Sequence, residues 1–228
     1  VERLARSRRE TLAALDRGGP VYGVTTGQGH FADRALAPAD AAAHQRNLLL
    51  GRAVGSAPWL PREEARALWA VRLSGFLGGR AGVSPELCAY LAARLADDLV
   101  PAVPRTAVGS AGEVIPLAHA FQVILGEGLA LRPDGAVEPA AEALRARGAA
   151  PYEPGPKEGI ALLAGAPGAT ALALARHRSA AALAGRLLSG APRARSTRRA
   201  RRSPPTRQRP GARATRCSIG PWPPWGRC

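Results

Sequence analysis

Leucines at positions 87, 91 and 95 follow Ser84-Pro85-Glu86 and leave this segment few alternatives to a helix. The serine hydroxyl suits the N-cap, the proline suits the first helical position where no N–H is needed, and the acid sits near the positive end of the helix dipole. A spacing of four places the leucines on one apolar stripe, which must be covered by another element. Helix-like stretches also run through Ala39 to Leu50, Arg62 to Leu77, Pro116 to Ile124, Pro139 to Arg147 and Ala169 to Leu188. Alternation with period two is scarce, so the expected class is mainly α with few, short strands.

Three loops between these stretches carry more glycine than helix packing alone needs. They are VYGVTTGQG (Val21 to Gly29), VPRTAVGSAGEVIPLAH (Val103 to His119) and KEGIALLAGAPG (Lys157 to Gly168). Taken singly each reads as a turn between helices. Glycine also permits close backbone approach, and Tyr22 stands beside one such residue.

Composition bounds the function classes. The formal charge of +15 points to nucleic acid, yet eleven of the arginines lie in 189–228, which holds no acid, and removing them leaves +4 over 1–188. The hydrophobic content of 46% argues for a packed core over most of the chain. Methionine is absent, Lys157 is the only lysine, and the abundance of Ala, Arg, Gly and Pro fits GC-rich coding DNA. Cys88, Cys217 and Cys228 form no even framework and share no metal-type spacing, so no metal site is expected and the reducing cytoplasm is the expected compartment. No apolar run approaches the roughly 18 to 20 residues of a membrane span and no secretory leader opens the chain, so a soluble protein without a membrane partner is expected.

At the loops the chain resembles the aromatic amino-acid lyases, the family of histidine, phenylalanine and tyrosine ammonia-lyases and related aminomutases. Tyr22 to Gly29 is similar to Tyr-Gly-Val-Asn/Thr-Thr-Gly-Phe-Gly, with Gln28 for Phe. Gln45 to Gly55 resembles Gln-x-Asn-Leu-x-x-Ser-His-Ala-x-Gly, and Arg72 to Val83 resembles Arg-Ala-Asn-Ser-Leu-x-x-Gly-x-Ser-Gly-Val. Val108 to His119 aligns without gaps on Val-Gly-Ala-Ser-Gly-Asp-Leu-Ala-Pro-Leu-Ala-His, and Lys157 to Gly165 on Lys-Glu-Gly-Leu-Ala-Leu-Ile-Asn-Gly. The resemblance covers Val1 to about Leu188. It implies the N-terminal portion of the ammonia-lyase fold, truncated before its long central helix bundle is complete.

The resemblance also implies a chemistry. In the family an Ala-Ser-Gly tripeptide cyclises to a methylidene-imidazolone, MIO, a self-derived electrophile that turns the amine of an aromatic amino acid into a leaving group. A tyrosine matching Tyr22 removes the β-proton, which requires a phenol whose pKa is lowered from about 10. The aligned triplet here is Ser110, Ala111 and Gly112, so a methyl stands where a hydroxyl must leave. Sliding the register makes Ser110 central, but Ala111 then supplies the attacking nitrogen and its Cβ crowds a tight turn. Arg52 replaces the histidine of Ser-His-Ala, Ala164 the asparagine of Ile-Asn-Gly, and Ser74 a further asparagine, whereas Glu113 for Asp and Val114 for Leu conserve character. His119 matches the motif's histidine and is expected to pack on its helix. MIO is therefore not expected to form, and the expected function is an inactive, truncated relative of the lyases.

Two regions are expected, an ammonia-lyase-like region over 1–188 and an Arg/Pro-rich disordered tail over 189–228. The tail reads either as GC-rich codons in a shifted frame or as a basic arm with Trp222 and Trp225 as stacking residues. The family's partner is an aromatic amino-acid substrate, and its homotetramer is not expected of this fragment. A non-catalytic subunit beside a full-length lyase is the alternative. Any nucleic-acid binding is expected to be non-specific and to reside in the tail.

Overall fold

The computed structural model describes residues 1–106 and 112–199. Helices dominate: α1 (Glu2–Asp16), α2 (Ala41–Leu50), α3 (Arg62–Leu77), α4 (Pro85–Ala96), α5 (Val114–Gln122), α6 (Ala140–Ala146), α7 (Glu158–Leu163) and α8 (Pro167–Arg199). Among the described residues one antiparallel hairpin joins β1 (Leu129–Leu131) to β2 (Val137–Pro139), with Ala130 opposite Glu138. The chain divides into two compact units, Val1–Ala181 and Ala182–Cys228. The boundary read at residue 188 falls within α8, and 200–228, with Cys217, Trp222, Trp225 and Cys228, lies outside the described residues.

α4 starts as its sequence requires. The Ser84 hydroxyl accepts a hydrogen bond from the Leu87 N–H at 3.0 Å, and Leu87 and Leu91 are buried. α5 begins two residues before Pro116, which the first turn accommodates because its N–H groups lack intrahelical acceptors.

The core sits where α3 meets α5. Trp69 and Phe121 stack with ring centroids 5.6 Å apart, and the Trp69 indole N–H donates to the Ala120 carbonyl at 2.7 Å. Burial of rings of this size contributes on the order of 2–3 kcal/mol each. Leu48 and Leu49 of α2 and Leu117 of α5 extend this core, and α2, α5 and α7 pack pairwise against one another.

Two elements differ from expectation. The Lys157–Gly168 segment contains the helix α7 rather than a simple loop, because its Gly159 serves close packing. The stretch Glu158–Ser189, broken at Ala164–Ala166, contains an 18-residue window of mean hydropathy 1.4, long and apolar enough by length and composition to cross a membrane. That corrects the expectation that no apolar run approaches such a length. In the structure 44% of the window is buried inside the chain, with Leu162, Leu163 and Ala171 in the core.

Candidate active site

The Tyr22 loop is a closed turn. The N–H groups of Val24, Thr25 and Thr26 all donate to the Val21 carbonyl. The Thr25 hydroxyl accepts from the Val21 N–H at 2.8 Å and donates to the Gly19 carbonyl at 3.0 Å. Tyr22 is held outward, 55% exposed, and its hydroxyl accepts a hydrogen bond from the Gly29 N–H at 3.1 Å. Gly23, at φ +68°, turns the chain back, and a Cβ there would lie 2.7 Å from the Gln28 amide nitrogen.

Gln45 ties this loop to the third glycine-rich segment. Its buried amide donates to the Gly23 carbonyl at 2.9 Å and accepts from the Ile160 N–H at 3.2 Å. α2 and α7 approach so closely there that a Cβ on Gly159 would lie 2.2 Å from the Gln45 carbonyl oxygen. The start of the Tyr22 loop is thereby set from α2 and α7 by one side chain.

The second loop is anchored at both sides of its described part. Glu113, fully buried, accepts hydrogen bonds from the Gly168 N–H at 2.8 Å and the Ala169 N–H at 2.6 Å. These are first-turn donors of α8, so a carboxylate compensates orphan N–H groups and the positive helix end together. His119 accepts from the Gly55 N–H through Nε2 at 2.9 Å, which joins α5 to the segment after α2. Burial lowers the His119 pKa below its ordinary value. A Cβ on Gly55 would lie 2.5 Å from the Pro104 ring, so this contact also depends on glycine.

Arg72 connects the third motif to the fifth. Its guanidinium donates to the Ala164 carbonyl and lies over the Phe76 ring, 5.4 Å from the centroid. Burial lowers its pKa to about 10, while the charge of Glu113 acts in the opposite direction. Lys157 joins the same two motifs, donating to the Ala81 carbonyl at 2.6 Å.

Glu158 is the polar hub of the neighbouring core. Its buried carboxylate accepts from the Ser84 N–H at 2.9 Å, the Gly155 N–H at 2.8 Å and the Tyr152 hydroxyl at 2.9 Å. Burial, followed by smaller contributions from its neighbours including the Glu158 charge, raises the Tyr152 pKa.

All five motifs are thus joined by direct contacts: the first to the second and fifth through Gln45, the second to the fourth through His119, and the third to the fifth through Arg72. Gly112, at φ +80°, stands just before α5, whereas Ser110 and Ala111 lie outside the described residues. In the ungapped register the central side chain does not fit the MIO group, since the methyl of Ala111 cannot leave as water does from serine. Arg52, two residues past the end of α2, donates among the described residues only to the Leu48 carbonyl in the last turn of α2, at 3.5 Å. Among the described residues no cluster of three or more His, Cys, Asp or Glu side chains could hold a metal ion. Sequence reasoning had passed over Gln45, Glu113 and Glu158 as site-building residues. Their signal was a polar side chain kept inside or beside an otherwise apolar helix face.

Comparison with known proteins agrees with this scaffold. Residues 1–191 match the family described as aromatic amino acid lyase. The chain is 42% identical over 165 residues to a histidine ammonia-lyase of Streptomyces coelicolor, covering 72% of this chain and 32% of that protein. It is 41% identical over 169 residues to the histidine ammonia-lyase of Streptomyces griseus, covering 74% and 33%. The tyrosine aminomutase of Streptomyces globisporus superposes with a TM-score of 0.70 at 35% identity, covering 75% of this chain and 33% of that one. The chain therefore spans about a third of the length of the relatives it matches. Its mainly helical architecture is that of the N-terminal part of these proteins, and the chain belongs to the aromatic amino acid lyase family.

Proposed function

We propose that this chain is a histidine ammonia-lyase-like scaffold that does not eliminate ammonia as it stands. One observation carries the reading: Ala111 occupies the central position of a triplet whose Gly112, and the His119 that follows, match the motif, with Glu113 a conservative replacement of its Asp. The contacts that join the motifs are in place, so the first chemical defect is the side chain that would lose water. Arg52 and Ala164 deepen it by removing hydrogen-bonding groups of the motif. Tyr22 is the residue that matches the family's base, and it retains a hydroxyl hydrogen-bonded to the loop. Without an activated amine as leaving group, a base at that position gives no elimination.

In this reading the ancestral ligand is an aromatic amino acid and the protein works in the reducing cytoplasm, where Cys88 remains a thiol. Burial, with Glu158 and Glu86, pushes the Cys88 pKa up to about 11. The arginine-rich segment 189–228 adds only a salt-sensitive, sequence-independent attraction for polyanions.

The test is direct. The purified chain is expected to lack near-ultraviolet absorbance from MIO, to show its unmodified mass, and to release no ammonia from histidine, tyrosine or phenylalanine. An intact-mass loss of two waters localised to residues 109–112 would overturn the reading.

A second reading, a non-catalytic subunit beside a full-length relative, is favoured by one feature. A groove of about 610 Å³ runs between α3 and the start of α8, with Ala67, Val71 and Ala171 in its wall and Leu174 exposed. Apolar surface of this kind marks association sites. Mixing the chain with a full-length Streptomyces histidine ammonia-lyase and measuring the mass of the complex by light scattering tests it, and separate elution of the two proteins rejects it.

A further inference from the structure

We propose that the cleft formed by Arg72, Arg80 and Lys157 is a binding site for a small oxyanion carrying at least two negative charges. The cleft is an open cavity of about 300 Å³ whose wall is completed by Gly75, Phe76, Ala81, Ala161 and Ala164. Three cationic side chains line it and no acidic one does. Small residues make up most of the remaining wall, which leaves room for an ion among the charges.

Each cation is positioned differently. Lys157 takes φ +69° at the start of α7, and its ammonium, half-buried, is fixed on the Ala81 carbonyl. Arg72 is held between the Ala164 carbonyl and the Phe76 ring, and its Nε has no hydrogen-bond partner among the described residues. Arg80 is exposed and has neither an ion pair nor a hydrogen bond among them. Arg8 adds a fourth positive charge nearby, donating to the Gly82 and Pro156 carbonyls and ion-paired with Glu158 at 3.9 Å.

The acids near the cleft are already engaged. Glu113 has a backbone N–H of α8 on each oxygen, and Glu158 is held by Ser84, Gly155 and Tyr152. Their negative charge offsets part of the field, as the effect of Glu113 on Arg72 shows, but four cations against two carboxylates leave the cleft net positive. Burial lowers the pKa of both Arg72 and Lys157, with Arg8 adding to the effect at Lys157, and an anion would relieve that cost. Charge-assisted contacts from arginine are the strong ones, and the partly buried setting screens them less than an open surface does. The inference is independent of whether the chain eliminates ammonia.

Inorganic phosphate and malonate serve as probes, titrated into the full chain by calorimetry at constant ionic strength set with chloride. Binding of either is expected, weakened roughly tenfold in Arg80→Gln, the loss of one charge-assisted contact. Gly75→Glu is expected to abolish it, because a Cβ there meets nothing within 4 Å and its carboxylate would occupy the cleft. Gly75→Ala is expected to bind as the parent does. The arginine-rich segment is common to all four proteins, so differences among them report the cleft alone. Absence of binding by both anions, or equal affinity in the parent, Arg80→Gln and Gly75→Glu, would overturn the proposal.

Discussion

The Glu113 carboxylate accepts the Gly168 N–H at 2.8 Å, so the residue that opens α5 also closes the first turn of α8. A second bond, from the Ala169 N–H to the other oxygen, makes the pair a charged cap delivered from 55 and 56 residues away. Glu113→Gln keeps the shape but removes the charge and one acceptor oxygen. It is expected to lower unfolding free energy by about 1–3 kcal/mol in urea denaturation. A change below a few tenths would mean that the cap contributes little.

Gln45 offers a comparable test in which no charge is involved. Gln45→Leu fills a similar volume but leaves the Gly23 carbonyl and the Ile160 N–H without their partner. The expected cost is about 2–4 kcal/mol, from two groups stranded in a buried setting. Hydrogen exchange should speed up at Ile160 and across the Tyr22 loop while Trp69 and its neighbours in α3 stay protected. Uniform exchange across the chain would show that Gln45 supports the whole core rather than this junction.

These junctions explain what was legible in the sequence. The capped helix after Ser84 was legible because both its signals, the hydroxyl and the leucine stripe, are local. α7 was not, because Gly159 reads as loop punctuation until the Gln45 carbonyl is seen 2.2 Å from its would-be Cβ. α1 escaped because ERLARSRRETLAALD is rich in charged residues, and only Leu4 of it is buried. The five motifs announced that a site exists. The side chains that join them were hidden, since a buried glutamine or glutamate has no periodicity and depends on partners distant in sequence.

Two histidines, the buried His119 and the half-buried His44, predict a pH dependence with a fixed sign. Burial lowers the pKa of His119 below 6.5, and burial followed by the charge of Arg52 does the same at His44. The unfolded chain therefore binds more protons between the ordinary value and the folded ones, and stability falls as pH drops below about 6.5. His119→Gln, which retains an acceptor for the Gly55 N–H, is expected to reduce the slope between pH 6.5 and 5 while His44 keeps part of it. An unchanged slope would assign the dependence elsewhere.

Repair of the triplet tests whether one side chain accounts for the proposed inactivity. Ser110→Ala together with Ala111→Ser recreates Ala-Ser-Gly in the ungapped alignment. Ammonia release is still expected to be undetectable, because Arg52 and Ala164 remain and residues that act as a unit do not contribute additively. Turnover in the double variant alone would place the whole defect at Ala111.

The arginine-rich segment makes the final prediction. Residues 200–228 lie outside the described residues, and their sequence carries seven arginines and no acid. A segment so poor in apolar residues contributes no core, so deleting 200–228 is expected to leave the far-ultraviolet helical signal of the remaining residues unchanged. Arginine contacts to phosphate release counterions and carry no base information, so nucleic-acid binding by the full chain should be weak, indifferent to sequence and steeply weakened by salt. The deletion should remove most of it, leaving what the arginines of 189–199 sustain. Titrations of duplex DNA into both forms at two salt concentrations measure this, and sequence-selective binding that survives added salt would instead make the segment a dedicated nucleic-acid arm.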